Sequence, residues 1–188
     1  MHAFPGGKDI ALRRRLWLIR DMKTCVVMTV LAPDRTGIVK SISETVTDNG
    51  GNWLESRMAR LAGQFAGILR VECDPDQVDG LISALEALEG LSIHTSREST
   101  PDDTHRDLVQ LDVVGNDRPG IVRQLSAAIA EAGGNLEDLQ TQLESAPMAG
   151  HPLFHATFSV SLPAHVAPGT LVEEIEGVGE DLAVTVLE

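Results

Sequence analysis

The strongest constraint on this chain is that it repeats itself. Asp34-Arg35-Thr36-Gly37-Ile38-Val39 returns 83 residues later as Asp117-Arg118-Pro119-Gly120-Ile121-Val122. At the same offset Gly50-Gly51-Asn52 returns as Gly133-Gly134-Asn135, Ser43 as Ser126, and Val46 as Ile129. Chance rarely keeps two separated anchors in register without a gap, so the 188 residues read as a duplicated unit. Each copy, at roughly 80 residues, is long enough to bury a modest core of its own.

Both copies give the same order of elements: strand, helix, strand, strand, helix, strand. Cys25–Leu31 and Leu108–Val114 are β-rich runs that end in polar turn residues. In the second run Val109, Leu111 and Val113 alternate with polar residues, which predicts one buried face. In the first run both faces are apolar, which predicts a cover over the outer face. Ile38, Val39, Ile42 and Val46 fall on one helical face, as do Ile121, Val122, Leu125 and Ile129. Gly50 and Gly133 supply helix stops. Leu54–Leu61 and Phe65–Cys73 predict a hairpin, with Met58, Leu61, Ile68 and Leu69 in the core. Its counterpart is Leu136–Leu143 and Phe154–Leu162, joined by a surface loop over Glu144–Pro152.

A second helix is predicted from Asp74-Pro75, with Leu81, Ile82, Leu85 and Leu88 inside, and its counterpart from Pro168 to Glu176. The closing strands are Leu91–Ser96 and Leu182–Leu187. The order βαββαβ predicts α+β architecture: two tandem ferredoxin-like domains, each a four-stranded antiparallel sheet with two helices on one face and strands one and three adjacent. The expected boundaries are an N-terminal extension at 1–21, a first domain at 22–97, a linker at 98–106 and a second domain at 107–188. Ile10, Leu12, Leu16 and Ile19 among the arginines leave two readings of the extension, a weakly structured tail or a short docked helix.

Charge and composition narrow the function. The net charge is −13, and residues 1–23 hold a local excess of +4, so the body carries −17. Such a body repels phosphate backbones, which argues against direct nucleic-acid binding. With 3% aromatic residues and no Tyr, the sheet lacks the stacking platforms of an RNA-recognition module. Cys25 and Cys73 form no CxxC pair, so neither a metal chaperone nor a zinc site is indicated, and a reducing cytoplasm fits. No apolar run reaches membrane-span length. His94, His105, His151, His155 and His165 show no metal-ligand spacing, and no cofactor motif occurs. Ser43 and Ser126 have no His/Asp partners in sequence, so catalysis is not expected. Cys25 and Cys73, at facing ends of adjacent strands, are expected to lie close yet remain thiols.

The strings D-R-T-G-I-V and D-R-P-G-I-V, each followed by G-G-N, resemble the ACT-domain signature over about residues 24–188. The segment from Gly50 to Leu69 is similar to the glycine cleavage system transcriptional repressor group, which consists of two ACT domains and little else. That resemblance implies a non-catalytic protein that responds to a small amino acid such as glycine. It would repress glycine cleavage genes through a DNA-binding transcription factor. The alternative is a regulatory subunit of an amino-acid-metabolising enzyme. Homo-oligomerisation stays open. Carried over residue by residue, the matching ligand positions are Asp34, Gly37, Ile38 and Asn52 in the first copy and Asp117, Gly120, Ile121 and Asn135 in the second.

Physical chemistry gives these residues a role and a plainer one. An Asp could accept an ammonium group, a helix N-terminus could receive a carboxylate, and an Asn offers both donor and acceptor. Equally, Asp34 and Asp117 could merely cap helices, Gly37 and Gly120 serve packing, and Asn52 and Asn135 shape a turn. Trp53 could line a pocket or an interface. The short hairpin of the first copy makes it the more family-like site of the two.

Overall fold

A computed structural model describes residues 23–98, 106–145 and 152–187. The N-terminal extension, most of the linker with His105, and the 146–151 connection with His151 lie outside them. The chain divides into two compact units, Met1–Pro101 and Asp102–Glu188.

Unit 1 comprises β1 (Thr24–Pro33), α1 (Ile38–Asp48), β2 (Asn52–Leu61), β3 (Gln64–Cys73), α2 (Val78–Glu86) and β4 (Ser92–Arg97). Unit 2 comprises β5 (Arg106–Asn116), α3 (Ile121–Glu131), β6 (Asn135–Ser145), β7 (Pro152–Pro163), α4 (Pro168–Glu176) and β8 (Ala183–Leu187). The sheets run β2-β3-β1-β4 and β6-β7-β5-β8, antiparallel throughout. This is the expected βαββαβ sandwich, twice. Even the irregularities repeat: β2 bulges between Trp53 and Glu55, and β6 between Leu136 and Asp138.

The cores follow from side-chain periodicity. In β1 Val26, Met28, Val30 and Ala32 point inward, and in β5 Val109, Leu111 and Val113 do so. Ile38, Ile42 and Val46 cover the first sheet with Leu81 and Leu85. Ile121, Leu125 and Ile129 cover the second with Leu171 and Ile175. Each such buried side chain contributes about 1.5–3 kcal/mol.

Several local expectations are corrected. Val39 and Val122 are 45% and 38% exposed, because they flank the i, i+4, i+8 stripe instead of lying on it. Of the four predicted core residues in the first hairpin, Leu69 is buried and Met58 half-buried. Ile68 is 54% exposed on the outer face and Leu61 79% exposed at the hairpin end. Alternation along β3 forces this, since Leu69 and Ile68 cannot both face inward. The cover predicted over the outer face of β1 is not supplied by the unit's own described residues, and Leu31 there is 53% exposed. Asp74-Pro75 does not open α2. Gln77 N–H donates to the Asp74 carbonyl, making a turn, and the helix begins at Val78. The predicted Glu144–Pro152 loop is shorter, since β6 runs to Ser145 and β7 starts at Pro152.

Cys25 and Cys73 are free thiols. Cys73 pairs with Thr24 and Cys25 with Glu72, so the two cysteines are offset by one residue and face opposite sides of the sheet. Proximity without alignment explains why they stay reduced.

Candidate functional site

Each unit carries a turn at the end of its first strand. Gly37 and Gly120 adopt left-handed φ values of 93° and 86°, and each is the N-cap of its helix with no side-chain cap hydrogen bond. A Cβ at either position would meet nothing within 4 Å, so backbone conformation, not packing, calls for glycine there. Packing instead selects Gly51 and Gly134, where a Cβ would crowd Val46 and Val71, or Val160 and Ile129. The capping reading of Asp34 and Asp117 therefore fails. Neither caps a helix; the Ile121 N–H at the start of α3 donates to the Arg118 carbonyl at 3.2 Å, and the first-turn N–H groups beyond it have no side-chain cap to compete with an anion. Ile38 and Ile121 are core residues that anchor the helix starts.

The two aspartates have different surroundings. In unit 1 the Asp34 N–H donates to the Gly63 carbonyl at 2.8 Å, and its carboxylate is ion-paired with Arg60 near the end of β2. In unit 2 the Asp117 N–H donates to the Pro152 carbonyl at 3.2 Å, while its carboxylate has no side-chain partner among the described residues. The position matching Arg60 is Leu143, and the position matching Met58 is Thr141. Met58 lies over Gly67, whose added Cβ would sit 2.5 Å from the Met58 Cγ. Thr141 instead faces Ala156. Unit 2 consequently has a cleft of about 400 Å³ lined by residues including Asp117, Gly120, Val122, Thr141, Leu143 and Phe154.

Arg118 forms one wall of that cleft. Its guanidinium donates to Asp181 at 3.1 Å, to the Val178 carbonyl at 3.3 Å and, through Nε, to Gln124 at 3.4 Å. Asp181 also accepts the Asn116 N–H at 2.9 Å; this backbone bond and the Arg118 charge hold its carboxyl below the ordinary range despite partial burial. Arg118 is thus a fixed cationic wall. The Arg35 guanidinium, among the described residues, donates to the Glu89 carbonyl at 3.3 Å.

The asparagines lie elsewhere. Asn52 pairs with Glu72 at the head of the sheet, beside Cys25, and its amide donates to Glu72 at 3.0 Å. Asp34 follows the other end of β1, nine residues from Cys25, or roughly 30 Å at the usual strand rise. Asn135 is placed likewise beside Ser161, and its amide donates to Glu137 at 2.7 Å. Within one unit the Asp and the Asn cannot hold the same small ligand. Trp53 is half-buried against the unit 1 core. Ser43 and Ser126 donate to helix carbonyls, of Lys40 and Val122.

Sequence reading missed one polar cluster. His155 on β7 lies between Asp112 and Glu144, at 2.6 and 2.8 Å, and the hydrogen bonds to Glu144 and then Asp112 raise its pKa above the ordinary 6.5. Only the partners' strand positions bring them together. Among the described residues no group of three or more His, Cys, Asp or Glu side chains could hold a metal ion. No described helix is long and apolar enough to cross a membrane.

Two tandem ferredoxin-like modules, each with a glycine turn leading into an uncapped helix, define a class of small regulatory modules. The ACT-domain family model matches residues 24–96. A UPF0237 protein of Methanopyrus kandleri is 42% identical over 77 residues, which are 40% of this chain and 78% of that protein. The crystal structure of an unknown protein from Galdieria sulphuraria superposes with a TM-score of 0.77 at 31% identity, covering 88% of this chain and 98% of that one. A structure named provisionally as a glycine cleavage system transcriptional repressor gives a TM-score of 0.64 at 20% identity, covering 89% and 99%. At that identity the likeness concerns the fold. The chain belongs to the ACT-domain family, and it is a tandem pair of such domains.

Proposed function

We propose that this protein is a non-catalytic, amino-acid-responsive regulator whose ligand site is the unit 2 cleft. The observation that carries this reading is that the Asp117 carboxylate lines the cleft with no side-chain partner among the described residues, where Asp34 is already neutralised by Arg60. Asp117 would accept the ligand's ammonium group, and the uncapped start of α3 would receive its carboxylate. Thr141, Leu143 and Phe154 line the rest of the cleft, and glycine is proposed as the ligand from the family resemblance. This reading favours the second copy, where the short hairpin of the first suggests that one.

The output is proposed to be indirect repression of glycine cleavage genes through a DNA-binding transcription factor in the cytoplasm. The resemblance of the Gly50–Leu69 segment and the similarity in fold to the provisionally named repressor support it. The acidic body supports a partner that touches DNA in this protein's place.

Calorimetric titration with the twenty amino acids tests the site. One binding event per chain is expected, weakened about tenfold by Asp117→Asn, the loss of one charge-assisted contact. Unchanged affinity in that variant would move the site elsewhere. Affinity capture with and without glycine tests the output: a transcription factor supports repression, and a metabolic enzyme would replace it with enzyme regulation. Tight sequence-dependent DNA binding by a chain starting at Met22 would defeat the indirect mechanism.

A further inference from the structure

His155 stands on β7, a central strand of the second sheet, on the face away from the helices. Its Nε2 lies 2.6 Å from Asp112 on β5, and its Nδ1 lies 2.8 Å from Glu144 on β6. One imidazole therefore bridges both neighbours of its own strand. Gln142 donates to the same Glu144 oxygen at 2.7 Å. Val114 of β5 is the direct cross-strand neighbour of His155, and Ala183 and Thr185 of β8 lie one strand further out; none of them is titratable in the relevant range. Asp138 lies further along β6 on the same face. Asp112 and Glu144 are the charged groups that face the ring directly.

A neutral imidazole has one N–H. It can satisfy one carboxylate, and its other nitrogen then presents a lone pair to an anion. The imidazolium donates to both carboxylates, whereas a neutral ring can donate to only one and accept at Nδ1 from the Gln142 amide 3.2 Å away. The bridge lies on the opposite face of the two strands whose Leu143 and Phe154 line the cleft, so it reaches the cleft through the backbone of β6 and β7. Glu144 follows Leu143 and His155 follows Phe154; Leu143 and Phe154 pair across β6 and β7 and line the cleft, as does Gln142. Unit 1 has no such bridge. Its matching positions are Thr29, Ala59, Leu61 and Ala66.

We propose that His155 makes ligand binding in the unit 2 cleft pH-dependent, its protonated ring pinning the ends of β6 and β7 and its deprotonation releasing them. This rests on the cleft being the ligand site. The proton leaves to solvent, since His155 is only partly buried. The two carboxylates that raise its pKa place the release on the alkaline side of an ordinary histidine.

The test uses the full chain in two arms. First, NMR follows the His155 ring and the Leu143 and Phe154 amides without ligand, from about pH 5.5 to about pH 9. Ring and amides should share one midpoint above 6.5, which Asp112→Asn should lower and His155→Gln should abolish in the amides. Amides that ignore the ring's titration would overturn the coupling. Second, calorimetry measures glycine binding near pH 6 and near pH 8.5. Affinity should fall about tenfold at the higher pH in the wild type and stay level in His155→Gln. Equal wild-type affinity at both values overturns the proposal. Absence of glycine binding at both values overturns the ligand reading instead, while a shared midpoint in the first arm still supports the pinned strand ends.

Discussion

The two units have the same backbone and different surfaces. Strand order, bulge position and left-handed turn glycine coincide at an offset of 83 residues. Yet on the helix side Arg60 neutralises Asp34, where the matching Leu143 leaves Asp117 without a side-chain partner among the described residues. On the outer side Ala59, Ala66 and Leu61 occupy the positions that Gln142, His155 and Glu144 take in unit 2. The contrast teaches that duplication preserves what the fold requires, a buried stripe and a turn that needs glycine, while the positions that only line a surface drift apart. In one copy the turn aspartate is ion-paired and the hairpin end of the outer face is apolar around Leu31, Ala59, Leu61 and Ala66; in the other a cleft opens beside the aspartate and that end of the outer face is polar.

The largest test of their independence is a core deletion. Phe158 is fully buried in unit 2, and Phe158→Ala should cost about 3–5 kcal/mol. Unit 2 should then melt first, with unit 1 amide signals retained. A single joint transition seen by calorimetry and NMR would mean the units are energetically coupled.

Next comes an exchange of their surfaces. Leu143→Arg should pair with Asp117 and reduce amino-acid affinity at least about tenfold. Met58→Thr with Arg60→Leu should open unit 1 and add a second, weaker binding event in calorimetry. If the exchange leaves both stoichiometry and affinity unchanged, the Arg60–Asp34 pair does not explain the asymmetry.

A smaller effect separates the units by pH. The folded-state pKa of His155 is raised, so its stabilisation is fully present below about pH 6.5 and is lost as pH rises through the folded value. That of Asp181 is lowered, so its stabilisation is present above about pH 3.8 and is lost as pH falls through the folded value. Melting of unit 2 should therefore weaken toward both limits. His155→Gln should flatten the alkaline limb and Asp181→Asn the acid limb, read by thermal melts across pH. An unaltered alkaline limb in His155→Gln would assign it to another group.

The smallest effect is that of the pair that fills unit 1. Arg60 is largely exposed, so Arg60→Leu should change stability by less than about 1 kcal/mol in denaturant titration. A larger loss would mean that the ion pair holds the hairpin, and unit 1 would then be filled for stability.

Much of the molecule was legible in one sequence. The repeated D-R-x-G-I-V and G-G-N strings announced two copies, helical and alternating periodicity announced the order of elements, and Gly37 and Gly120 announced their turn. These are local features, and local sterics and hydrophobic period fix them. The tertiary structure decided what depends on register. It set Asn52 a strand's length from Asp34, sent Ile68 outward while Leu69 went in, brought Arg60 to Asp34, and placed His155 between carboxylates 43 and 11 residues away. A hairpin's turn and a single bulge choose which side chains meet across strands, and a shift of one residue sends each to the other face. Periodicity within a strand does not contain that choice, so the Asp34–Arg60 pair and the His155 bridge had to wait for the fold.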